Sequence, residues 1–106
     1  MNNLKKLILT SMIATTGIMG TSIIANATVS HPSGGTWNYG LVNHNPYYMA
    51  YSYYYHPTRW HTSTAQLGGR EHRVKSGRTR YGKTSIANTP TLYKTTNAYY
   101  WYDSDA

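Results

Sequence analysis

The sequence predicts an all-β protein, a small antiparallel β-sandwich that follows a cleavable N-terminal signal peptide. Threonine, tyrosine and tryptophan, which favour strands, are abundant after residue 34, and turn signals recur there at short intervals. That part of the chain shows little helical periodicity. Several short strands without helices are typical of a sandwich, so we expect a single β domain over residues 35–106.

The N-terminus has the pattern of an export signal. Lys5 and Lys6 precede an uncharged and mostly apolar run over residues 7–24. The sequence A-N-A that follows is a small-residue cleavage motif, which predicts a cut between Ala27 and Thr28. The alternative is an uncleaved membrane anchor. Cleavage predicts a secreted, extracellular protein with a signal peptide over residues 1–27.

A flexible lead over residues 28–34 and six strands are expected in the exported chain. Proline and glycine turns separate the strands, and Gly68-Gly69 and Ser76-Gly77 are typical of two-residue hairpin loops. With Gly68-Gly69 as the loop, His72 would lie opposite Ala65. One face of the sheet would then hold Thr62, Thr64, Gln66, Arg73 and Lys75. The predicted strands cover residues 35–42, 47–55, 61–67, 70–75, 78–88 and 97–102.

Basic residues are concentrated in the second of these hairpins. Without residues 1–27 the chain carries eight Lys and Arg against three acidic residues, a net charge of +5. With Ser76-Gly77 as the loop, Lys75 would face Arg78 and Arg73 would face Arg80, although like charges repel across a sheet. The hairpin is therefore either a solvated face that maintains solubility or a site for a polyanion. The candidate anion-binding residues are Arg70, Arg73, Lys75, Arg78, Arg80 and Lys83.

The run Y-Y-M-A-Y-S-Y-Y-Y at residues 47–55 has a strand pattern and uses tyrosine in a chain that lacks phenylalanine. Tyrosine buries a large ring but keeps a hydroxyl that needs a partner or water. One face of the strand can pack in the core, while the other can meet a glycan, a lipid headgroup or a partner subunit. The alternative is that both faces serve the core and the seam of a homodimer. The candidate aromatic surface consists of Tyr48, Tyr54 and Trp60.

Side chains suited to catalysis are scarce. Of the three acidic residues left after export, two lie among the last four positions, which argues against the carboxylate pair of a glycosidase. The chain has no cysteine, so thiol catalysis and Cys-based metal sites are excluded. His56, His61 and His72 match no zinc spacing, and we expect them to make structural hydrogen bonds. The sequence predicts no enzyme, no catalytic residue, no cofactor and no metal, and export argues against a nucleic acid partner.

Four motifs occur in order: G-T-W-N-Y-G at residues 35–40, Y-S-Y-Y-Y-H at 51–56, H-T-S-T at 61–64 and A-Y-Y-W-Y at 98–102. This order, behind an export signal and without cysteine, resembles the lactococcin 972 family of bacteriocins. The chain departs from the family's small-residue stretch at Lys83 and Thr84, and an acidic tail follows residue 102. The resemblance implies structural roles for Trp37, Gly40, Tyr53, His61, Tyr99 and Tyr100.

The resemblance also implies a fold and a function. The fold would be a sandwich of two three-stranded sheets, and the protein would be secreted by Gram-positive bacteria. The function would be to kill close relatives by binding the cell-wall precursor lipid II and blocking septum formation, without forming pores. The producer would carry a dedicated immunity transporter. An alternative function is a secreted, non-toxic module that binds cell walls or glycans for adhesion.

Overall fold

The computed structural model describes residues 23–106 and consists of two antiparallel β-sheets packed face to face. The predicted all-β sandwich is confirmed. Two 3-10 helices, at Pro32–Gly34 and Arg70–His72, lie between strands. The strands are β1 (Ile23–Ser30), β2 (Thr36–His44), β3 (Tyr47–Tyr55), β4 (Thr62–Leu67), β5 (Arg73–Lys75), β6 (Thr84–Asn88), β7 (Leu92–Tyr93) and β8 (Ala98–Asp103).

The two sheets differ in size. The first has five strands in the order β1-β2-β3-β6, with β7 also paired to β3, and the second has three in the order β5-β4-β8. The tyrosine-rich strand β3 pairs with β2 along its whole length, with β7 at its start and with β6 at its end. The first sheet is larger than the resemblance implied, because β1 adds to the edge of β2 and β7 adds to β3.

The interior between the sheets has a small aliphatic core and an aromatic seam. The core consists of Leu41, Ala50, Ala65, Leu67 and Ala87. These side chains come from alternate positions of β2, β3, β4 and β6, as expected where one face of each strand is buried. Because this aliphatic core is small, aromatic rings supply much of the apolar area that is buried between the sheets.

The aromatic seam joins β2 and β3 to β8. Trp37 and Tyr54 each lie close to Tyr102, with ring centroids 4.9 and 4.8 Å apart, and Tyr39 lies 4.8 Å from Tyr100. Burial raises the pKa of Tyr54 to about 12, and that of Tyr100 also to about 12. The seam therefore favours neutral phenols, because low-dielectric surroundings penalise the charged form.

One glycine is required by this packing. A side chain at Gly35 would place its Cβ 2.3 Å from the carbonyl oxygen of Tyr55 and 2.8 Å from the ring of Tyr54. Real Cβ atoms do not approach backbone oxygen this closely, so only glycine fits where the chain enters β2.

Serine hydroxyls fill the remaining space between the sheets. The Ser85 hydroxyl lies 2.9 Å from the Ser63 hydroxyl and 3.1 Å from the carbonyl oxygen of Tyr54. All three residues are almost completely buried. Because buried hydroxyls need partners, these contacts allow the sheets to meet through small polar residues without an unsatisfied group.

The Gly68-Gly69 turn is longer than the predicted two-residue loop. The 3-10 helix at Arg70–His72 adds residues, so that Val74, and not His72, lies opposite Ala65. The register therefore moves by two positions. Because side chains alternate with a period of two, this shift leaves Arg73 and Lys75 on the face that the sequence predicted.

The predicted hairpin at Ser76-Gly77 is wrong. Gly77 does not adopt the positive φ that a two-residue loop needs, and the turn lies at Gly82, whose φ is +82°. Only an isolated bridge between His61 and Thr79 interrupts the irregular backbone between β5 and β6. The predicted like-charge pairs are therefore not formed, and the predicted strand over residues 78–88 is reduced to β6.

Residues 28–34, predicted as a flexible lead, contain regular secondary structure. The first three of them form the end of β1, paired with β2, and Pro32–Gly34 is a 3-10 helix. The predicted cut between Ala27 and Thr28 lies within β1 and stays a prediction. Residues 1–22 of the predicted signal peptide lie outside the described residues. Within residues 23–106, no helix is long and apolar enough to cross a membrane.

Candidate functional site

The outer face of the three-stranded sheet combines cations and aromatic rings. Strand β4 lies in the middle, so that Thr64 is flanked by Lys75 on β5 and Trp101 on β8. In the same way Gln66 is flanked by Arg73 and Tyr99. The intervening residues of β4 are fully buried, which places these side chains on the opposite, outer face.

Arg73 is held in a defined position on this face. Its guanidinium carbon lies 4.6 Å from the centre of the Trp101 ring, and its Nε donates a hydrogen bond of 2.8 Å to Gln66 Oε1. The Gln66 amide is itself fixed, since Nε2 donates to the carbonyl oxygen of Gly68 at 3.0 Å. A cation over an exposed indole contributes about 0.5–1 kcal/mol. The Arg73 guanidinium is thus held in place, and its other two nitrogens remain available as donors.

A groove of about 270 Å³ opens beside this pair; we call it the Trp101 groove. Neither Arg73 nor Lys75 forms an ion pair with any of the described residues. The groove therefore offers two cations without an ion-pair partner within residues 23–106, the carboxylate of Asp103, threonine hydroxyls and an aromatic face. This chemistry suits an anion that carries polar, hydroxylated groups, because guanidinium offers forked donors to phosphate or carboxylate oxygens. Its lining residues are Thr62, Thr64, Arg73, Lys75, Trp101, Tyr102 and Asp103.

A hydrogen-bond chain through the sandwich fixes the backbone of the groove. Trp37 Nε1 donates to Ser52 Oγ at 2.9 Å, and this hydroxyl donates to the carbonyl oxygen of Trp101 at 3.1 Å. Ser52 is fully buried on β3. The chain thus ties β8, and the groove that it lines, to the larger sheet.

The other predicted cations lie away from the Trp101 groove. Arg78 packs over the ring of Trp60, with its guanidinium carbon 4.1 Å from the ring centre, and Arg80 lies 5.0 Å from the ring centre of Tyr81. Arg70 is exposed in the 3-10 helix after β4, and Lys83 is exposed before β6. The six predicted anion-binding residues are therefore divided, and only Arg73 and Lys75 line the groove.

The fold and this site can be compared with known proteins. The model of the family described as bacteriocin, lactococcin 972, matches residues 33–100. The chain belongs to the lactococcin 972 family of bacteriocins. No match was found among curated proteins, and none among solved structures.

Membership in the lactococcin 972 family supports a bacteriocin-type function directed at bacterial cells. The matched residues extend from the 3-10 helix before β2 into β8, and so include both sheets. Within residues 23–106, no group of three or more histidine and acidic side chains is arranged to hold a metal ion.

The family-motif residues serve the fold more than the groove. Trp37 and Tyr100 belong to the aromatic seam, while Gly40 is buried opposite Tyr51. The hydroxyl of Tyr53 donates to Asn88 Oδ1 at 2.8 Å, which ties β3 to β6. Tyr99 is exposed, and its ring stacks with Trp101 at 6.4 Å beside the groove.

His61 is the most completely bonded of the motif residues. Its Nδ1 lies 2.7 Å from the carbonyl oxygen of Arg59, and its Nε2 lies 2.8 Å from that of Lys83. Both partners are carbonyl oxygens, which only accept, so the ring donates to them through its N–H. His61 therefore holds the segment before β4 and the segment before β6 together.

His56 has the opposite arrangement. Its Nδ1 accepts from the backbone N–H of Thr58 and of Arg59 at 3.1 and 3.0 Å, and its Nε2 donates to the Ser33 carbonyl oxygen at 2.8 Å. This pattern needs the neutral ring with its proton on Nε2. The prediction of structural hydrogen bonds is confirmed for both His56 and His61. His72 instead lies 3.9 Å from Glu71 at the surface.

The predicted aromatic surface is only partly correct. Tyr54 is fully buried, and its hydroxyl donates to the carbonyl oxygen of Pro32 at 2.9 Å, so it belongs to the interior. Tyr48 is half-buried against the core. Tyr48 and Tyr54 share a face of β3 with Ala50 and Ser52, which are fully buried, so this face points into the sandwich. Only Trp60, which is exposed, lies on a surface as predicted.

Sequence reasoning did not identify the residues that complete the groove. Thr62, Thr64 and Gln66 were predicted to share a face with Arg73, but they were not proposed to bind. Trp101 was part of a motif without an assigned role. The available signal was the alternation in A-Y-Y-W-Y-D on β8, which puts Trp101 and Tyr99 on the face opposite to Tyr100.

Proposed function

We propose that the chain is a secreted antibacterial protein that binds the anionic headgroup of lipid II in the Trp101 groove. Binding would withdraw the precursor from cell-wall synthesis and block septum formation in closely related Gram-positive bacteria. Family membership supports the antibacterial role, and the groove supports an anionic ligand. The observation that carries the proposal is the pair Arg73 and Lys75, uncompensated and beside a fixed indole ring.

The headgroup of such a precursor matches the groove in its chemistry. A pyrophosphate joins a hydroxylated sugar to a lipid chain, so negative charge and hydroxyl groups lie next to each other. Arg73 and Lys75 supply donors for the phosphate oxygens, while Thr62 and Thr64 can bond to hydroxyls. Asp103, at the end of β8 opposite Thr62, can accept from a sugar hydroxyl. The groove is too small for a whole glycolipid, which therefore binds through part of its headgroup.

The proposed action is stoichiometric and not enzymatic. Lipid II incubated with an excess of the protein should be recovered chemically unchanged, as judged by mass spectrometry. Growth arrest should then require protein in proportion to the precursor present. Hydrolysis of the precursor would contradict this part of the proposal.

Secretion is part of the same proposal. Export with removal of residues 1–27 would leave Thr28 as the first residue, and the producer would need a dedicated immunity transporter. Intact-mass measurement of the protein in culture supernatant tests the cleavage site. Detection of residues 1–27 on the released protein would contradict export through a cleaved signal.

The groove is tested by a charge-matched pair of variants. Arg73→Gln with Lys75→Gln removes the two groove cations, and Arg59→Gln with Lys94→Gln removes two cations elsewhere. Hydrogen bonds between charged groups contribute about 1.5–3 kcal/mol, so the groove variant should bind lipid II at least tenfold more weakly. The control should bind nearly as well as the unaltered protein. Affinity is measured by titration calorimetry with lipid II in detergent micelles.

The same variants should be spotted on lawns of related bacteria. Clearing by the unaltered protein and the control, but not by the groove variant, is the expected result. Equal affinity of both variants for lipid II would exclude the groove as its site. Surface binding without growth arrest by the unaltered protein would instead indicate a cell-wall adhesion module.

A further inference from the structure

A second group of cations and aromatic rings lies beside the start of β4; we call it the Trp60 cluster. It consists of Trp60, Arg78, Arg80 and Tyr81. Arg78 lies 4.1 Å from the centre of the Trp60 ring, Arg80 lies 5.0 Å from that of Tyr81, and the two rings meet edge to face at 6.5 Å. Each ring thus carries its own cation.

The cluster is exposed and is not neutralised. Trp60 and Tyr81 keep 37% and 42% of their surface accessible, and both arginines are exposed. No ion pair within residues 23–106 includes either arginine. The sequence has no acidic residue between Glu71 and Asp103, so the segment that carries Arg78, Arg80 and Tyr81 has only positive charges.

The fold holds both sides of the cluster in place. The backbones of His61 and Thr79 exchange hydrogen bonds of 2.9 and 2.8 Å, and the His61 ring is bonded to carbonyl oxygens on either side of the cluster. Gly82 N–H also donates to the carbonyl oxygen of His56 at 2.8 Å. A surface held by this many contacts is already ordered before it meets a partner, which reduces the entropic cost of binding.

Trp60 of the cluster lies on the same side as the Trp101 groove. His61 is fully buried, so its neighbours Trp60 and Thr62 project to the opposite, outer side. Thr62 lines the groove. Trp60 therefore lies next to the groove at the start of β4, on the same side as Thr62.

We propose that the Trp60 cluster docks on the headgroup layer of an anionic phospholipid bilayer. Tryptophan and tyrosine favour the interface between water and hydrocarbon, where the ring is apolar and its polar edge is wet. Arginines beside them are attracted to anionic headgroups. If lipid II is the ligand, as proposed above, docking brings the Trp101 groove to the height of a headgroup that is anchored in the same bilayer.

Vesicles without lipid II test the docking separately from the proposed function. The secreted protein is mixed in low salt with vesicles of phosphatidylglycerol and phosphatidylcholine, or of phosphatidylcholine alone, and the bound fraction is measured by co-sedimentation. Failure to bind lipid II in the groove would not alter this measurement. Added salt should weaken binding to the anionic vesicles, because exposed charges are screened.

The charge variants address the arginines. Each cation near an anionic surface contributes about fivefold to binding, so Arg78→Gln with Arg80→Gln should lower the partition coefficient about 25-fold. Arg78→Lys with Arg80→Lys should bind like the unaltered protein, since a bilayer surface attracts either cation. Arg59→Gln with Lys94→Gln, the charge-matched control, should have a smaller effect.

The aromatic variants address the rings. Trp60→Ser with Tyr81→Ser should lower binding severalfold to both kinds of vesicle. A matched control is Tyr47→Ser with Tyr93→Ser, which removes another exposed pair of rings, 5.5 Å apart and edge to face. This control should bind normally. Circular dichroism checks that each variant is folded.

Two results would overturn the inference. One is equal vesicle binding by the Trp60 cluster variants and their controls. The other is displacement of the protein from vesicles by soluble polyphosphate with no effect of the aromatic variants, which would assign the cluster to a soluble polyanion. A measurement without variants is quenching of tryptophan fluorescence by lipids brominated near the headgroup. Quenching is expected, and its absence at full binding would also overturn the inference.

Discussion

Strand β8 presents aromatic rings on both of its faces, and the two faces use them in opposite ways. Tyr100 and Tyr102 point inward and pack against rings of the larger sheet. Tyr99 and Trp101 point outward, where Arg73 lies over the indole. Inside, a ring contributes buried area and its hydroxyl must find a partner; outside, it provides a flat surface for a cation or a ligand. The alternation of a strand therefore lets one short segment build both the core and the proposed binding face.

The hydroxyl groups of buried rings also explain why the chain uses tyrosine and not phenylalanine. Buried tyrosines of β3 use their hydroxyls on both faces of the larger sheet: on the inner face Tyr54 donates to Pro32 O at 2.9 Å, and on the other face Tyr51 donates to Asn38 Oδ1 of β2 at 3.3 Å. Phenylalanine would bury a similar area but lose these bonds. In a chain without cysteine, such bonds hold β3 to β2 and to the 3-10 helix before it, a task that disulfides perform in many small secreted domains.

The largest expected effect is alkaline unfolding caused by the buried rings. Burial raises the pKa of Tyr51, Tyr54 and Tyr100 to about 12, from the ordinary value of 10.0. Stability from this source is complete below pH 10 and is lost as the pH rises toward 12, because the unfolded chain releases these protons first. Tyrosinate absorbance and near-ultraviolet circular dichroism should change together in that window. Ionisation of all tyrosines at pH 10 with the fold retained would contradict the assignment of an inner and an outer set.

Truncation of one ring on each side sharpens the comparison. Tyr54→Ala leaves a cavity in the interior and should cost about 3–5 kcal/mol, which is comparable to the whole stability of a domain of this size. Trp101→Ala, on the outer face, should cost about 1 kcal/mol. Urea denaturation followed by circular dichroism measures both. Similar midpoints for the two variants would break the distinction between the faces.

A smaller effect is expected at the histidines. His61→Phe leaves the Arg59 and Lys83 carbonyl oxygens without their ring partner, and an unsatisfied buried group costs about 1–3 kcal/mol. His72→Phe is the matched control, because that ring is half-exposed and its Nε2 lies 3.9 Å from Glu71 at the surface. Thermal unfolding should show a clear decrease in Tm for the first variant and little change for the second. The reverse order would mean that His61 does not hold the Trp60 cluster.

The sequence was sufficient to predict the strands with strong alternation. β3 begins and ends at the predicted residues, and β4 and β8 are close to prediction, because apolar or aromatic residues at every second position specify a buried face. The faces of β5 also agreed with prediction, since the extra 3-10 helix moved the register by an even number. The sequence motifs resembled the lactococcin 972 family, and the match of the family model over residues 33–100 confirms that the chain belongs to it.

The predictions failed where backbone conformation and long-range strand pairing determine the turns, the burial of side chains and the strand order. Whether Gly77 or Gly82 would take the positive φ depends on which strand the following segment pairs with, and β6 pairs with β3 and not with β5. The burial of Tyr54 depends on β8, which follows it by more than 40 residues. The Trp101 groove requires the order β5-β4-β8, and local patterns do not encode that order.

Binding of ligands to the outer face of the smaller sheet, as proposed above, can be observed directly through the three tryptophan indole N–H groups. Trp37 donates to Ser52 inside the sandwich, Trp101 lies at the groove and Trp60 lies in its cluster. A ¹⁵N-labelled sample is titrated with a soluble analogue of the lipid II headgroup and observed by NMR. The indole signal of Trp101 should move with saturation, while that of Trp37 stays in place and that of Trp60 changes less. A shift of Trp37, or no shift of Trp101 at a saturating concentration, would contradict the account.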